Sequence, residues 1–141
     1  MTPGIITEAF EASQAAITAR VESILDACRR KDFDRLAAYH LAGPKFTKFD
    51  DAAPWDRQDA DTAMRAEVDG FSPLQGFDGW FDDLQVDVFG ETAVATGIFR
   101  CTFRLDADDV SLASRSTLVF VDAGGGDWLI AHEHHSPFPE A

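Results

Sequence analysis

Three of the four histidines of this 141-residue chain lie within four positions near its end, in the segment "HEHHSPFP" (132–139). The segment follows the apolar run "WLIA", which predicts a β-strand, so His132 and His134 should point to one face and His135 to the other. Such a cluster could hold a metal, exchange protons, or form a hydrogen-bonded polar row on a sheet. Two in-phase imidazoles are a weak metal motif, because a usable site needs a third ligand. We therefore predict no metal site here.

Other residues suited to proton transfer lie between positions 39 and 51. Asp50 and Asp51 follow the short predicted strand "KFTKF", where either carboxylate could exchange protons, although a solvated acidic turn also explains the pair. His40 could shuttle protons with Asp50 near neutral pH, and Tyr39 could donate a hydrogen bond or pack at a rim. Together with His134, Asp50 and His40 are the catalytic candidates.

Polar residues on neighbouring strands could complete a site. Pairing across the turn "DAGGGD" would place Thr117 near His132 and Arg115 near His134 on one face, for which Trp128 would supply an apolar floor. We favour this face as the functional one. The alternative is that it forms an outer surface or a dimer interface, while the opposite face carries Ser114, Ser116, Glu133 and His135.

An arginine on the preceding strand is a further candidate. Arg100 would select anionic or carbonyl-bearing ligands if it faced a pocket, and otherwise it would pair with surface acids.

The elements that must position these residues follow from hydrophobic periodicity. Apolar residues recur at helical spacing over 5–30, and "FDRLAAYH" (33–40) predicts a second helix with Asp32 as its N-cap. A short strand starts at residue 45, a weaker helix lies within 57–71, and 72–80 is interpreted as loop or a short turn. From residue 81, four segments rich in β-branched and aromatic residues predict an antiparallel meander. The fold class is therefore α+β, in a single domain that spans residues 1–141.

The composition limits partners and location. The chain has 12 basic and 25 acidic side chains, a net charge of −13, which disfavours nucleic acid and anionic membrane surfaces. No signal-peptide pattern or membrane-spanning stretch is visible, and Cys28 and Cys101 are interpreted as reduced, buried thiols, so a cytoplasmic protein is expected. No phosphate-binding glycine loop is present, and no cofactor is predicted.

The order of the motifs points to a known family. The segments "DFDRLAAYH", "FTKFDDAAPW", "VFGETAVATGIF" and "SRSTLVFVDAGGGDWLIAHEHHSPFP" resemble the SnoaL-like and ketosteroid-isomerase-like branch of the nuclear transport factor two-like superfamily. The last segment is also similar to the end of the calcium/calmodulin-dependent kinase II association domain. The resemblance implies a cone-shaped, cystatin-like fold, in which a curved antiparallel sheet wraps around a long N-terminal helix and shorter helices.

The same resemblance implies an apolar pocket and an outer sheet face that often makes a homodimer. In ketosteroid isomerases a catalytic aspartate follows the short strand after the second helix, so the resemblance also implies that Asp50 or Asp51 could act as a general base. Phe49 and Trp55 lie in segments expected at the pocket mouth. The candidate pocket residues are thus Tyr39, Phe49, Trp55, Arg100, Arg115, Thr117 and His132.

Two classes of function remain open, because the superfamily includes enzymes and non-catalytic modules. The first hypothesis is a cofactor-independent isomerase, cyclase or dehydratase that acts on an apolar carbonyl compound by general acid–base catalysis. The second is a non-catalytic ligand-binding or association module. The steroid isomerase mechanism itself is not expected, since it uses a tyrosine from the first helix and a protonated late-strand aspartate. The first helix here has no tyrosine, and Leu118 or Thr117 stands in place of that aspartate.

Overall fold

Two helices precede the sheet. The computed structural model of the protein describes residues 4–139. Helix α1 (Glu11–Arg30) begins six residues later than the periodicity predicts, after Phe10 adopts a left-handed backbone conformation with φ of 51°. Helix α2 (Phe33–Ala38) begins at the predicted N-cap, where the carboxylate of Asp32 accepts a hydrogen bond from the backbone N–H of Arg35. No helix within residues 4–139 has both the length and the apolar character needed to cross a membrane.

A short strand and a third helix connect this half to the meander. Strand β1 (Thr47–Phe49) and helix α3 (Ala60–Phe71) lie where the sequence predicts them. The interpretation of 72–80 as loop or a short turn holds for 72–74 and is wrong beyond them, because strand β2 already begins at Gln75. Glycine and proline suggested a break there, but within β2 the glycines accommodate a register shift and a close approach of side chains.

Five strands form one curved, open sheet. Strands β2 to β5 make the predicted antiparallel meander, and β1 adds to β5 in parallel, so the order is β1-β5-β4-β3-β2. Residues 39–41 extend this edge, since the backbone of Ile130 hydrogen-bonds both Tyr39 and Leu41. The strands are β2 (Gln75–Phe89), β3 (Thr92–Leu105), β4 (Asp108–Asp122) and β5 (Trp128–Pro137).

Helix α1 packs against one face of the sheet, called here the inner face. Ile17 and Val21 of α1 are fully buried and belong to the same apolar cluster as Phe120 and Ile130 of the sheet. A second cluster joins the ends of α1 and α2 to β2 and β3, and it includes both free cysteines. Burial raises the pKa of the Cys28 thiol to about 12, so this cysteine is an inert part of the core.

Gly79 lets β2 approach the aromatic side chains of the inner face. A Cβ atom at this position would lie 3.0 Å from two ring atoms of Phe99 and 3.1 Å from the ring of Phe77. We expect Gly79→Ala to lower the free energy of unfolding by about 1–3 kcal/mol in urea denaturation, because the rings must shift to admit the methyl group. Gly70→Ala is the matched control, since a Cβ there meets nothing within 4 Å. Equal stability of the two variants would contradict this account.

Candidate functional site

A β-bulge in β5 decides which side chains of "HEHH" face inward. Val119 of β4 pairs with His132, whereas Phe120 pairs with Ile130, so Ala131 is an extra residue in β5. An extra residue shifts the alternation of side chains by one position. In β5, even-numbered residues therefore point inward before Ala131, and odd-numbered residues point inward after it.

The bulge separates residues that simple alternation groups together. Trp128 and Ile130 are buried on the inner face, and beyond the bulge this face continues with Glu133 and His135. The prediction that Trp128 supplies an apolar floor to the face of His132 and His134 is therefore wrong. The helices cover the other face, which carries Ser114, Ser116, Glu133 and His135 and which the sequence pattern did not favour as the functional one.

The predicted patch of Arg115, Thr117, His132 and His134, called here the histidine–arginine patch, lies on the opposite, outer face. Thr117 pairs with His134 and Arg115 with Ser136, two positions away from the predicted pairing. Arg115, Thr117 and His134 line an open depression of this face. They do not line the cavity on the inner face, which is called here the main pocket. His132 also points outward, and its Nδ1 lies 2.8 Å from the Thr47 hydroxyl.

Arg100 and Tyr39 contact other side chains outside the main pocket. The Arg100 guanidinium lies on the outer face, 2.6 Å from the Asp82 carboxylate. The Tyr39 hydroxyl accepts a hydrogen bond of 2.8 Å from Arg35, and the Arg20 guanidinium covers its ring. These contacts give both residues structural partners.

Phe49 and Trp55 border a groove beside the main pocket. The Phe49 ring packs against His134 with a centroid distance of 5.6 Å, and Trp55 is 67% exposed. The groove meets the main pocket at Asp50, Asp51 and His135, which line both.

The main pocket is a cavity of about 350 Å³ between α3 and strands β2 to β4. Its volume lies in the range of small-molecule sites. Most of its wall is apolar, and its polar groups gather on the side of β1, β4 and β5. The apolar side chains include Phe71, Leu74, Phe77, Phe99, Phe103 and Leu112, and the polar ones are Lys48, Asp50, Asp51, Glu67, Ser114 and His135.

Two smaller cavities adjoin the main pocket at Glu67, which lines all three. An inner chamber of about 100 Å³ lies against α1, and a side chamber of about 170 Å³ lies between α2 and α3. His40 and Glu133 line both of these chambers. The ionisable side chains at the end of the pocket are thus shared between its compartments.

A buried carboxylate joins two histidines at this point. Glu133 Oε2 lies 3.0 Å from Nε2 of His40, and Oε1 lies 3.1 Å from Nε2 of His135. Nδ1 of His40 lies 2.8 Å from the backbone carbonyl of Leu36, and Nδ1 of His135 lies 2.7 Å from the hydroxyl of Ser116. The bulge creates this network, because it directs Glu133 and His135 inward.

Lys48 is a buried cation beside the network. Its Nζ donates a hydrogen bond of 2.6 Å to Glu67 and lies 3.9 Å from Asp50. Burial alone would lower the pKa of Lys48, but the charges of Glu133, Glu67 and Asp50 outweigh it and raise the pKa above its ordinary value. The ammonium group therefore stays charged and cannot act as an amine nucleophile.

Asp50 and Asp51 bring two carboxylates to the same wall. Asp50 accepts a hydrogen bond of 2.9 Å from the backbone N–H of Asp51, and the Asp51 carboxylate accepts a short hydrogen bond from Ser114. Burial raises the pKa of Asp50, although the charge of Lys48 partly offsets this effect. A carboxylate with a raised pKa, open to an apolar cavity, is suited to accept a proton from a ligand.

The family model described as "SnoaL-like domain" matches residues 17–140, which is most of the chain. The chain belongs to the SnoaL-like family. No curated protein matches its sequence.

Solved structures show the fold of this SnoaL-like domain. A nuclear transport factor 2-like superfamily protein from Salmonella enterica serovar Typhimurium is 16% identical with a TM-score of 0.81, over 94% of this chain and 96% of that one. A candidate scytalone dehydratase from Novosphingobium aromaticivorans is 14% identical with a TM-score of 0.81, over 94% and 89%. The CaMKII hub homology domain of Chlamydomonas reinhardtii is 20% identical with a TM-score of 0.72, over 89% and 98%.

Sequence reasoning missed much of the polar end of the SnoaL-like pocket. It chose Asp50 and His40, which the fold brings to the main pocket and to its two chambers, but it did not single out Lys48 or Glu67. The alternation of Lys48 and Asp50 along one short strand was an available signal, because it places both on one face.

In the part of the chain that the structure describes, no third ligand lies beside the paired histidines His132 and His134 of β5. Within residues 4–139, no group of three or more histidine, cysteine, aspartate or glutamate side chains is arranged to hold a metal ion. On the inner face, His40, Glu133 and His135 hydrogen-bond one another in a chain. Their geometry is that of a proton-sharing network.

Proposed function

We propose that this SnoaL-like domain binds an apolar, carbonyl-bearing small molecule and transforms it by general acid–base catalysis without a cofactor. The observation that carries the proposal is the pairing of Asp50 with Lys48 at the edge of an apolar cavity. Asp50 is a half-buried carboxylate whose pKa is raised by burial, and Lys48 is a buried ammonium group 3.9 Å away. This combination supplies a base and a fixed positive charge at one point.

The proton path follows from this geometry. The Asp50 carboxylate takes a proton from a carbon next to the ligand carbonyl, and the electrons of the broken C–H bond move to the carbonyl oxygen as an enolate forms. The Lys48 ammonium stabilises that oxygen by charge and hydrogen bonding. Protonated Asp50 then returns the proton to another carbon, which completes an isomerisation, or to a departing hydroxyl group, which completes a dehydration.

The wall of the pocket supports an apolar ligand with a polar edge. Seven aromatic or leucine side chains line the cavity, and the carboxylates, Lys48 and Ser114 gather at its polar end. A flat ring system would pack against Phe77 and Phe99, with its carbonyl towards Lys48. Burial of such a ring contributes most of the binding free energy, and the polar groups fix its orientation.

Hydrogen exchange tests the proposed chemistry without knowledge of the natural substrate. A panel of cyclic and aromatic ketones is incubated with the protein in D₂O, and deuterium uptake next to the carbonyl is followed by NMR. We expect faster exchange than in buffer for those ketones that also raise the melting temperature. If ketones bind but their exchange is not accelerated, the catalytic proposal fails and ligand binding alone remains.

The free cysteines support a cytoplasmic location for this activity. Cys28 and Cys101 are both buried and unpaired, as is usual for thiols in a reducing compartment. The net charge of −13 supports a partner other than nucleic acid.

A second candidate function is self-association through the outer face of the sheet. Thr96, Arg115 and His134 near the centre of this face are exposed, so no other element of residues 4–139 covers them. Apolar side chains such as Ile98 and Trp80 share the face with them. A homodimer would cover this surface, and it is compatible with the pocket on the opposite side.

We expect Ile98→Asp to convert a dimer into a monomer in sedimentation velocity experiments. A carboxylate at the centre of the outer face would lose its hydration in an interface between two copies. Burying such an unpaired charge has a large free-energy cost, which should disrupt the dimer. Ala12→Asp adds the same charge to the exposed first turn of α1 and should leave the sedimentation coefficient unchanged. A wild-type monomer, or a dimer that survives Ile98→Asp, would contradict the association proposal.

A further inference from the structure

His40 and His135 bond the same carboxylate but differ in their second partner. Nδ1 of His40 faces the backbone carbonyl of Leu36, whereas Nδ1 of His135 faces the hydroxyl of Ser116. A carbonyl oxygen can only accept a hydrogen bond, while a hydroxyl group can either donate or accept one. The two imidazoles are therefore under different constraints on where their protons lie.

The carbonyl of Leu36 fixes a proton on Nδ1 of His40. If His40 were neutral, its Nε2 would then present a lone pair to the Glu133 carboxylate, 3.0 Å away. Two acceptors at this distance repel each other, and water cannot separate them, because the side chains of His40 and Glu133 are each only 8% exposed. A second proton must lie between Nε2 of His40 and Oε2 of Glu133.

The surroundings of Glu133 place that proton on the imidazole. The carboxylate also accepts a hydrogen bond of 3.1 Å from His135 and lies in the field of the Lys48 ammonium. Burial alone would raise the pKa of Glu133, but Lys48, His135 and His40 outweigh it and hold the pKa well below the ordinary value. An ionised Glu133 beside a doubly protonated His40 is the arrangement that satisfies every contact.

We propose that His40 is a positioning residue with a permanent positive charge, and that His135 is the imidazole whose protonation state changes at the pocket. The hydroxyl of Ser116 makes this change feasible, since it donates to Nδ1 of neutral His135 and, after rotation, accepts from Nδ1 of the cation. Through Glu133, the charge of His40 limits how strongly His135 holds its second proton. The proposal concerns the protein without ligand, so it can fail or stand independently of the proposed function.

The protonation of His135 would change the charge that a ligand meets. His135 lines the main pocket and the inner chamber, where the charged groups around it are Glu133, Lys48, Asp50, Asp51, Glu67 and the protonated His40. When His135 is protonated, the pocket gains a positive charge near Lys48 and favours an anionic or enolate-like ligand. When it is neutral, an uncharged carbonyl compound is favoured, so ligand affinity should depend on pH.

Nitrogen NMR of histidine side chains tests the proposal on the wild-type protein. The ring ¹⁵N shifts are followed from about pH 5 to about pH 9, a window that spans the ordinary histidine pKa near 6.5. We expect both nitrogens of His40 to keep the shifts of a protonated imidazole throughout, while His135 titrates. An unprotonated Nε2 on His40 within this window would overturn the proposal.

The variant His40→Gln separates charge from hydrogen bonding. A glutamine amide can still donate to Glu133 but carries no charge, so the full negative charge of Glu133 would act on His135. We expect the pKa of His135 to rise by about one unit or more. The control His132→Gln changes an outward-facing histidine of the same strand and should leave the titration of His135 unchanged. An unaltered pKa of His135 in His40→Gln would refute the coupling, and the wild-type measurement decides the matter if this variant does not fold.

Discussion

Replacing Glu133 with alanine is expected to lower the free energy of unfolding by roughly 3–5 kcal/mol, the cost of breaking a buried ionic network by removal of one partner. The Glu133 carboxylate accepts hydrogen bonds from His40 and His135 and balances the charge of Lys48. Glu133 and Lys48 are buried, and the side chains of His40 and His135 are only 8% and 16% exposed, so water replaces the lost carboxylate poorly. Urea denaturation followed by tryptophan fluorescence measures the change.

Two further variants test whether charge or shape is responsible. Glu133→Gln keeps the size of the side chain but removes its charge, and we expect a loss of stability between those of wild type and Glu133→Ala. Glu22→Ala, on the exposed face of α1, should unfold like wild type. If Glu133→Ala unfolds at the wild-type urea concentration, the network contributes no net stability and the argument is refuted.

The stability difference should depend on pH with a defined sign. The pKa of Glu133 is depressed from its ordinary value of 4.5, so the stabilisation by its ionised form is complete above that value and is lost as the pH falls through the folded pKa. The pKa values of His40 and His135 are raised from 6.5, so each contribution is complete below 6.5 and is lost only as the pH rises through the folded value, which His135 should reach before His40. Wild type and Glu133→Ala should therefore converge in acid.

Most of the fold could be predicted from the chain because it depends on local patterns. Helical spacing from Ile17 to Cys28 and the N-cap at Asp32 mark the helices, and turn signals separate the four long strands. The start of β2 was missed, since Gly76 and Gly79 indicate a loop when only local preferences are considered. In the folded protein their small size serves packing and backbone curvature, which depend on residues distant in sequence.

The site could be predicted only in part, because its geometry depends on a single inserted residue. Alternation along "WLIAHEHH" groups Ile130 with His134, and only the pairing of β5 with β4 reveals that Ala131 is a bulge. The network of Glu133 and His135 is therefore hidden from a strictly periodic interpretation. Asp50 was found because its position depends on β1 alone, which enters the sheet without a register shift.

Replacing Asp50 with asparagine is expected to slow the exchange of ketone hydrogens by about 10²–10⁴-fold, the usual contribution of a general base. Asparagine has nearly the same shape and can still accept the hydrogen bond from the Asp51 backbone, but its amide oxygen is too weakly basic to hold a proton from carbon. Ketone affinity, measured by thermal shift, should change little. Since the pKa of Asp50 is raised, wild-type activity should also fall as the pH drops through this raised value, because the protonated acid cannot act as the base.

Neighbouring aspartates provide the comparison that makes this result specific. Asp56 is exposed in the same connection, so Asp56→Asn should exchange hydrogens at the wild-type rate. Asp51→Asn removes the acceptor for Ser114 and should have a smaller effect than Asp50→Asn, since Asp51 is held in that hydrogen bond. If Asp51→Asn abolishes exchange while Asp50→Asn does not, Asp51 is the base and Asp50 only tunes it. If neither variant slows exchange, the wall beside Lys48 is not where the proton is transferred.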